Sequence, residues 1–300
     1  MNYQEGFFTA QLNSRETQLF HQSWSPVEGE PKGVLIIVHG LSEHSGRYMN
    51  LVNYFVPKGY AVYGLDHVGH GRSPGTRVFV ERFDHFVESV HQFVGLISEW
   101  LPGVPRILVA HSLGGLIGTA FLIAHQSMVD IALLSGPAVK MPESISPITI
   151  TIGRILSVIV PKLGVTQLGA GGISRDPAVV QAYLDDPLVY NGKITARLGS
   201  EIFKTMQYVT GHAEQITLPL LIIHGGSDKV VDPASAKMLY ERVSSTDKSL
   251  KIYEGLYHET FNEAEHLQVM ADVEEWFEQR ASVYFPSSSR IDSVISSTTI

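Results

Sequence analysis

Three hundred residues and 33.0 kDa allow one large domain or two small ones, with ample chain to bury a core. Hydrophobic residues at 44%, charged residues at 17% and a net charge of −8 describe a globular protein and exclude a nucleic-acid partner, since no Lys/Arg run offers a basic stripe. The absence of cysteine excludes disulfides, thiolate metal sites and cysteine nucleophiles together.

The start of the chain, MNYQEGFFTA, has neither a basic n-region nor an apolar h-region, so a cytoplasmic protein is expected. Residues 7–10 and 17–24 flank a polar stretch with Asn13, Ser14 and Arg15, which predicts an antiparallel hairpin. Short apolar runs follow at 34–38, 61–65, 106–110, 131–135, 220–224 and 250–253. Most of these read as strands buried on both faces of a parallel sheet. Helical patterns lie between them. In 84–100, Phe86, Val90, Phe93, Ile97 and Trp100 recur every three or four residues, with Asp84 placed as N-cap. Further helices are expected over 116–125, 234–243 and 261–280. Such alternation predicts an α/β fold with a mostly parallel central sheet flanked by helices.

The alternation breaks over 138–213, where prolines, a glycine cluster and helical pieces occur without a convincing strand. That stretch reads as an inserted, mainly helical cap over the site end of the sheet, which divides the core into 1–137 and 214–280. Residues 281–300 carry nine Ser/Thr and read as a poorly ordered tail. The apolar run 148–160 contains Arg154 and, at 13 residues, falls short of the ~20 needed to span a bilayer.

The run VAHSLGG at 109–115 joins a predicted strand to a predicted helix, the context of a nucleophile elbow. Ala110 stands where the usual motif has glycine. The requirement is steric, because strand and helix approach closely around the serine, and one added methyl still meets it. Ser112 is then the candidate nucleophile and needs a base oriented by an acid. In this fold those follow in the order acid, then histidine, on loops after later strands. Asp228 follows strand 220–224 and His258 follows strand 250–253, so both stand where the fold requires them. Asp232 is the rival acid, but it precedes Pro233 and a helix and is assigned as the cap. Asp66 precedes Ser112 in the chain and is assigned to loop structure. Gly40, after strand 34–38, lets the backbone turn, so the N–H groups of Leu41 and Leu113 are expected to form the oxyanion hole. His39 and His44 are expected to brace that loop, while His67, His70 and His91 are expected to be loop or helix-surface residues. No HExxH-type spacing appears, and GHGRS at 69–73 lacks the ending of a Walker loop, so neither metal nor nucleotide is expected.

The segments HGLSEHSGRY at 39–48, DHVGHGRS at 66–73, AHSLGG at 110–115, GGSD at 225–228 and KIYEGLYH at 251–258 resemble the monoacylglycerol lipases of the α/β-hydrolase superfamily, a group that includes lysophospholipase-like hydrolases. The resemblance covers roughly 5–280. AYLDDPL at 182–188 resembles a cap segment of the same family, and the rest of the insertion matches less well. The resemblance implies a serine hydrolase that cleaves monoacylglycerols to fatty acid and glycerol without metal or organic cofactor, with an apolar acyl channel beneath the cap. It also implies a small glycerol pocket lined or supported by Glu43, Arg47, His111 and Tyr183. A broader carboxylesterase or lysophospholipase is the alternative with the same triad. A non-catalytic scaffold is disfavoured, because all three triad residues are present. The apolar segment 148–160 is expected to make reversible, peripheral contact with a membrane or micelle.

Overall fold

The computed structural model describes residues 1–141, 146–167 and 169–284. In chain order the elements are β1 (Asn2–Leu12), β2 (Arg15–Ser25), β3 (Gly33–Val38), α1 (Met49–Phe55), β4 (Tyr60–Leu65), α2 (Asp84–Trp100), β5 (Arg106–His111), α3 (Leu113–His125) and β6 (Ile131–Ser135). Then come α4 (Pro147–Ile159), β7 (Gly164–Thr166), α5 (Pro177–Asp185), β8 (Ile194–Thr195), α6 (Ala196–His212), β9 (Leu220–Gly225), α7 (Ala234–Arg242), β10 (Lys248–Tyr253) and α8 (His266–Tyr284).

Eight strands form one sheet in the order β1-β2-β4-β3-β5-β6-β9-β10. The pairs from β4 to β10 are parallel, whereas β1–β2 and β2–β4 are antiparallel. The predicted hairpin is therefore present at the sheet edge. It turns on Asn13 and Ser14, both with positive φ (49° and 61°), the geometry that matches the twist of the flanking strands. In β3, Val34, Ile36 and Val38 face the core layer that includes α2, α3 and α7, while Leu35 and Ile37 face the one that includes α1 and α8. Burial on both faces explains why these strands read as unbroken apolar runs.

Between β6 and β9 lie α4, α5 and α6, with β7 and β8 paired as a small antiparallel ladder. The expectation of no strand there fails on this pair. At three and two residues it is too short to show periodicity. Helix α6 packs on both α4 and α3, which anchors the inserted segment to the core.

Helix boundaries also differ from the reading of the sequence: α3 starts at Leu113, three residues before the expected 116. Asp84 is the first residue inside α2 and makes no capping hydrogen bond, so its carboxylate acts through the helix dipole. The last helix starts at His266, because Glu263 accepts the N–H groups of Tyr257 (2.8 Å) and Arg175 (3.2 Å) and holds the preceding residues in a turn. It runs to Tyr284, four residues into the segment expected to be tail; the remainder, 285–300, lies outside the described residues.

Candidate active site

At the carboxyl end of β5 the chain reverses into α3 within one residue. Ser112 carries that reversal with φ 57° and ψ −117°, a backbone state that an L-residue holds only when its surroundings impose it. The surroundings are tight. A Cβ added at Gly114 would lie 2.0 Å from the Val38 carbonyl oxygen, so only glycine fits there. Ala110 is fully buried, and its Cβ lies 2.8 Å from where a Gly118 Cβ would sit. The alanine of the elbow is thus accommodated by a glycine one turn into α3.

The three residues expected to form a triad meet at the ends of three strands. Ser112 Oγ–H donates to His258 Nε2 at 2.8 Å, and His258 Nδ1–H donates to Asp228 Oδ2 at 2.7 Å. The Asp228 Oδ1 atom accepts the N–H groups of Val230 (2.7 Å) and Val231 (3.0 Å). Burial would raise the Asp228 carboxyl pKa. The hydrogen bonds from His224 and then His258 outweigh it and hold the group well below the usual carboxylate range. Asp232 takes no part in that chain of hydrogen bonds. Its Oδ1 accepts the N–H of Ala234 at 2.8 Å at the start of α7, the capping task read from the sequence.

Leu41 and Leu113 both line the cavity that reaches Ser112, and neither backbone N–H donates within the described residues. A Cβ on Gly40 would lie 3.2 Å from Ser112 Cβ, so the Leu41 loop passes directly beside the nucleophile candidate. That loop is pinned from several sides. Gly40 N–H donates to Glu43 Oε1 at 2.6 Å, and His39 Nε2 accepts the N–H of His67 at 3.0 Å. His44 Nε2–H donates to Asp186 Oδ2 at 2.9 Å. Asp66 anchors the same region by accepting the Ser45 N–H (2.9 Å) and the Arg72 N–H (2.8 Å).

His67 and His70 are not surface residues. Their rings pack with His39 in the interior, and burial lowers the pKa of all three, to about 4 for His39 and about 3 for His70. The polar HGLSEH and DHVGHG sequences hid this, because loop composition says nothing of burial. His91, on α2, is partly exposed as expected.

Glu43, Arg47, His111 and Tyr183 also come together, but as a closed cluster and not an open pocket. Arg47 donates to Glu43 (2.8 Å) and, bidentately, to Glu259 (2.7 and 2.8 Å), while the Tyr183 ring lies 4.6 Å from its guanidinium carbon. Tyr48 O–H donates to Glu43 at 2.9 Å. The cavity lined by Glu43, Arg47, His111 and Glu259 measures about 10 Å³, room for one water. Burial would raise the Glu259 pKa, but the Arg47 charge and hydrogen bonds lower it. Glu259 was missed in the sequence. It stands beside His258, yet its partner Arg47 lies 212 residues away and no local spacing reveals the pair.

On the other side of Ser112 opens a cavity of about 910 Å³, lined mostly by apolar side chains such as Ile150, Leu156, Ile202, Phe203 and Met206.

The family profile described as "Serine aminopeptidase, S33" matches residues 29–265. The chain belongs to this family. Within it, the chain is 39% identical over 259 residues to the monoacylglycerol lipase of Mycolicibacterium smegmatis, covering 86% of this chain and 92% of that protein. It is 32% identical over 276 residues to the human monoglyceride lipase, covering 90% of each. The crystal structure of a Paleococcus ferrophilus monoacylglycerol lipase superposes with a TM-score of 0.77 at 28% identity, covering 86% of this chain and 97% of that one. The α/β-hydrolase architecture expected from the sequence is that of this S33-type family.

Proposed function

We propose that this protein hydrolyses the ester of monoacylglycerols to fatty acid and glycerol, with Ser112 as nucleophile. The observation that carries the reading is the Asp228–His258–Ser112 hydrogen-bond chain at the mouth of a 910 Å³ apolar cavity. The names and similarity of the relatives support it. His258 Nε2 takes the Ser112 proton as Oγ attacks the ester carbonyl, and the Leu41 and Leu113 N–H groups stabilise the oxyanion. His258 then returns the proton to the departing glycerol oxygen. Water repeats the sequence on the acyl-enzyme and releases the fatty acid. The apolar cavity takes the acyl chain, since burying each CH₂ contributes about 0.8 kcal/mol. In this reading the cap is 138–213 and the catalytic domain comprises 1–137 and 214–280.

The polar cluster favours glycerol over a phosphate-bearing leaving group. Two acidic side chains, Glu43 and Glu259, already occupy the single Arg47 guanidinium, and every partner of the two within reach is a donor, so no cation is left to receive a phosphate there. Glu43, Arg47, His111 and Tyr183 then form a polar wall for the alcohol side.

Helix α4 serves lipid capture in this proposal. Its Thr149, Ile150, Gly153 and Leu156 line the cavity, while Ile148 (72%), Val158 (74%) and Ile159 (71%) are exposed. Such a face contacts a membrane peripherally and reversibly. Among the described residues no helix is long and apolar enough to cross a membrane.

The test is a substrate panel on purified protein with monoacylglycerols of varied chain length, lysophosphatidic acid, lysophosphatidylcholine and p-nitrophenyl butyrate. Monoacylglycerols should give the highest kcat/KM, and Ser112→Ala should abolish all turnover above a small residue. Preference for a lysophospholipid, or a fluorophosphonate adduct on another serine, would overturn the assignment.

A further inference from the structure

Asp228 Oδ2 faces two imidazoles, not one. His224, the penultimate residue of β9, stands four residues before Asp228, is fully buried, and lines neither cavity. Its Nε2 lies 3.0 Å from Asp228 Oδ2 and 3.0 Å from the Val231 carbonyl oxygen. Both neighbours are acceptors only. A lone pair at Nε2 would face two oxygens, so the proton belongs on Nε2. The other ring nitrogen, Nδ1, is buried without a partner among the described residues, and a bare acceptor there costs less than an unpaired N–H. The surroundings therefore place a proton on Nε2. Among the described residues Asp228 accepts two backbone amides on Oδ1 and His258 on Oδ2, and the His224 Nε2–H that donates to the Val231 carbonyl lies 3.0 Å from the same Oδ2.

We propose that His224 is a positioning residue of the triad, whose Nε2–H, shared between the Val231 carbonyl and Asp228 Oδ2, holds that oxygen against His258 Nδ1 and takes up part of its charge. The proposal rests on the triad reading above. Two effects follow from removing the donor. Asp228 loses one of the bonds that orient it, so His258 is aimed less well and kcat falls. Oδ2 also regains the charge it had shared, so the imidazolium form of His258 is favoured and the acid limb of kcat/KM moves to higher pH. The other titratable groups near His258 are His111 from β5, with rings 4.7 Å apart, and Glu259, which is committed to Arg47. Neither touches His224, so a moved limb reports on Asp228.

The experiment compares His224→Leu, which has no donor, with His224→Gln, whose amide N–H can reach the same oxygen, on p-nitrophenyl butyrate across pH 5–9. The Leu variant should lose about 10- to 100-fold in kcat, the range for groups that orient a catalytic ligand from one bond away, with KM unchanged. Its acid limb should move up, and Gln should restore both kcat and limb to within a few-fold. Equal kcat and equal limbs in the two variants would overturn the proposal. Where Leu fails to fold, ¹⁵N-histidine NMR of the wild-type protein decides instead. His224 should be protonated on Nε2 with Nδ1 bare, and the opposite tautomer would sink the idea. Fluorophosphonate labelling of Ser112 in the same samples separates the two levels. Labelled enzyme with indifferent His224 variants defeats only this inference, whereas unlabelled Ser112 defeats the triad reading itself.

Discussion

Replacing Ala110 by glycine restores the familiar elbow pattern, and the structure says what that exchange should cost. The Ala110 methyl is fully buried and packs against Gly118 in the first turns of α3. Its removal loses about 0.8 kcal/mol of transfer free energy and leaves a void of roughly one methyl, worth about 0.6 kcal/mol at ~24 cal/mol per Å³. Glycine in a strand adds roughly 0.5–1 kcal/mol of backbone entropy. Together this is about 2 kcal/mol. With an unfolding entropy of ~2.1 cal/mol/K per residue, that corresponds to a fall in Tm of roughly 3 °C. The Ser112 backbone is held by Gly114 against Val38 and by the Ser112 N–H to Ser135 carbonyl bond (3.0 Å), neither of which involves Ala110. Ala110→Gly should therefore leave kcat/KM on p-nitrophenyl butyrate within about twofold. Ala110→Val should instead push two methyls toward Gly118, cost ~1–3 kcal/mol and displace the elbow, with at least a tenfold fall in kcat. The assays are a thermal melt and initial rates. A tenfold loss of kcat/KM in Ala110→Gly at unchanged Tm would refute the reasoning, because the alanine would then be shaping the nucleophile.

Asp228→Asn should lower kcat by roughly 10⁴-fold through the wrong His258 tautomer, while Asp232→Ala should cost about 1 kcal/mol of stability with kcat retained; a kinetic loss that followed Asp232 would exchange the two assignments. Folded-state pKa values of about 4 for His39 and His111 and about 3 for His70 arise chiefly from burial and lie below the unfolded value of ~6.5. Below pH ~6.5 the unfolded chain binds protons that the folded chain refuses, so stability is intact above that pH and declines toward pH 4 by up to about 1.4 kcal/mol per pH unit for each histidine. Urea melts at pH 7 and pH 5 should show the loss, and equal midpoints would contradict it. Ile148→Ser with Val158→Glu should weaken liposome binding and long-chain monoacylglycerol turnover while sparing p-nitrophenyl butyrate; equal loss on both substrates would reduce α4 to a structural cap helix.

Much of the scaffold was legible because the signals are local. Six apolar runs became six strands, and in β3, β4, β5, β6 and β9 burial on both faces leaves little room for polar interruptions, whereas the edge strand β10 carries the exposed Lys251. Ser112, Asp228 and His258 could be named because the fold places each at a strand end, and a strand end can be read from neighbouring residues. The reach of that reasoning is short. It placed Asp84 one residue outside its helix and overlooked the β7–β8 ladder, whose strands are too short to repeat a pattern.

Only the tertiary structure decided what depends on distant pairing. His67 and His70 read as loop or helix-surface residues, yet the fold stacks them with His39 in the interior and thereby lowers the pKa values of all three. Glu259 acquires its meaning from an arginine 212 residues away, and that pairing leaves a cavity of only about 10 Å³ among Glu43, Arg47 and His111. His224 sits four residues from Asp228, near enough to notice. A strand end followed by a turn, however, leaves the direction of a side chain open until the backbone is laid down, and that direction makes it a partner of the carboxylate. Spacing along the chain determines which residues can arrive at a site; the three-dimensional path of the backbone determines which oxygen each of them meets.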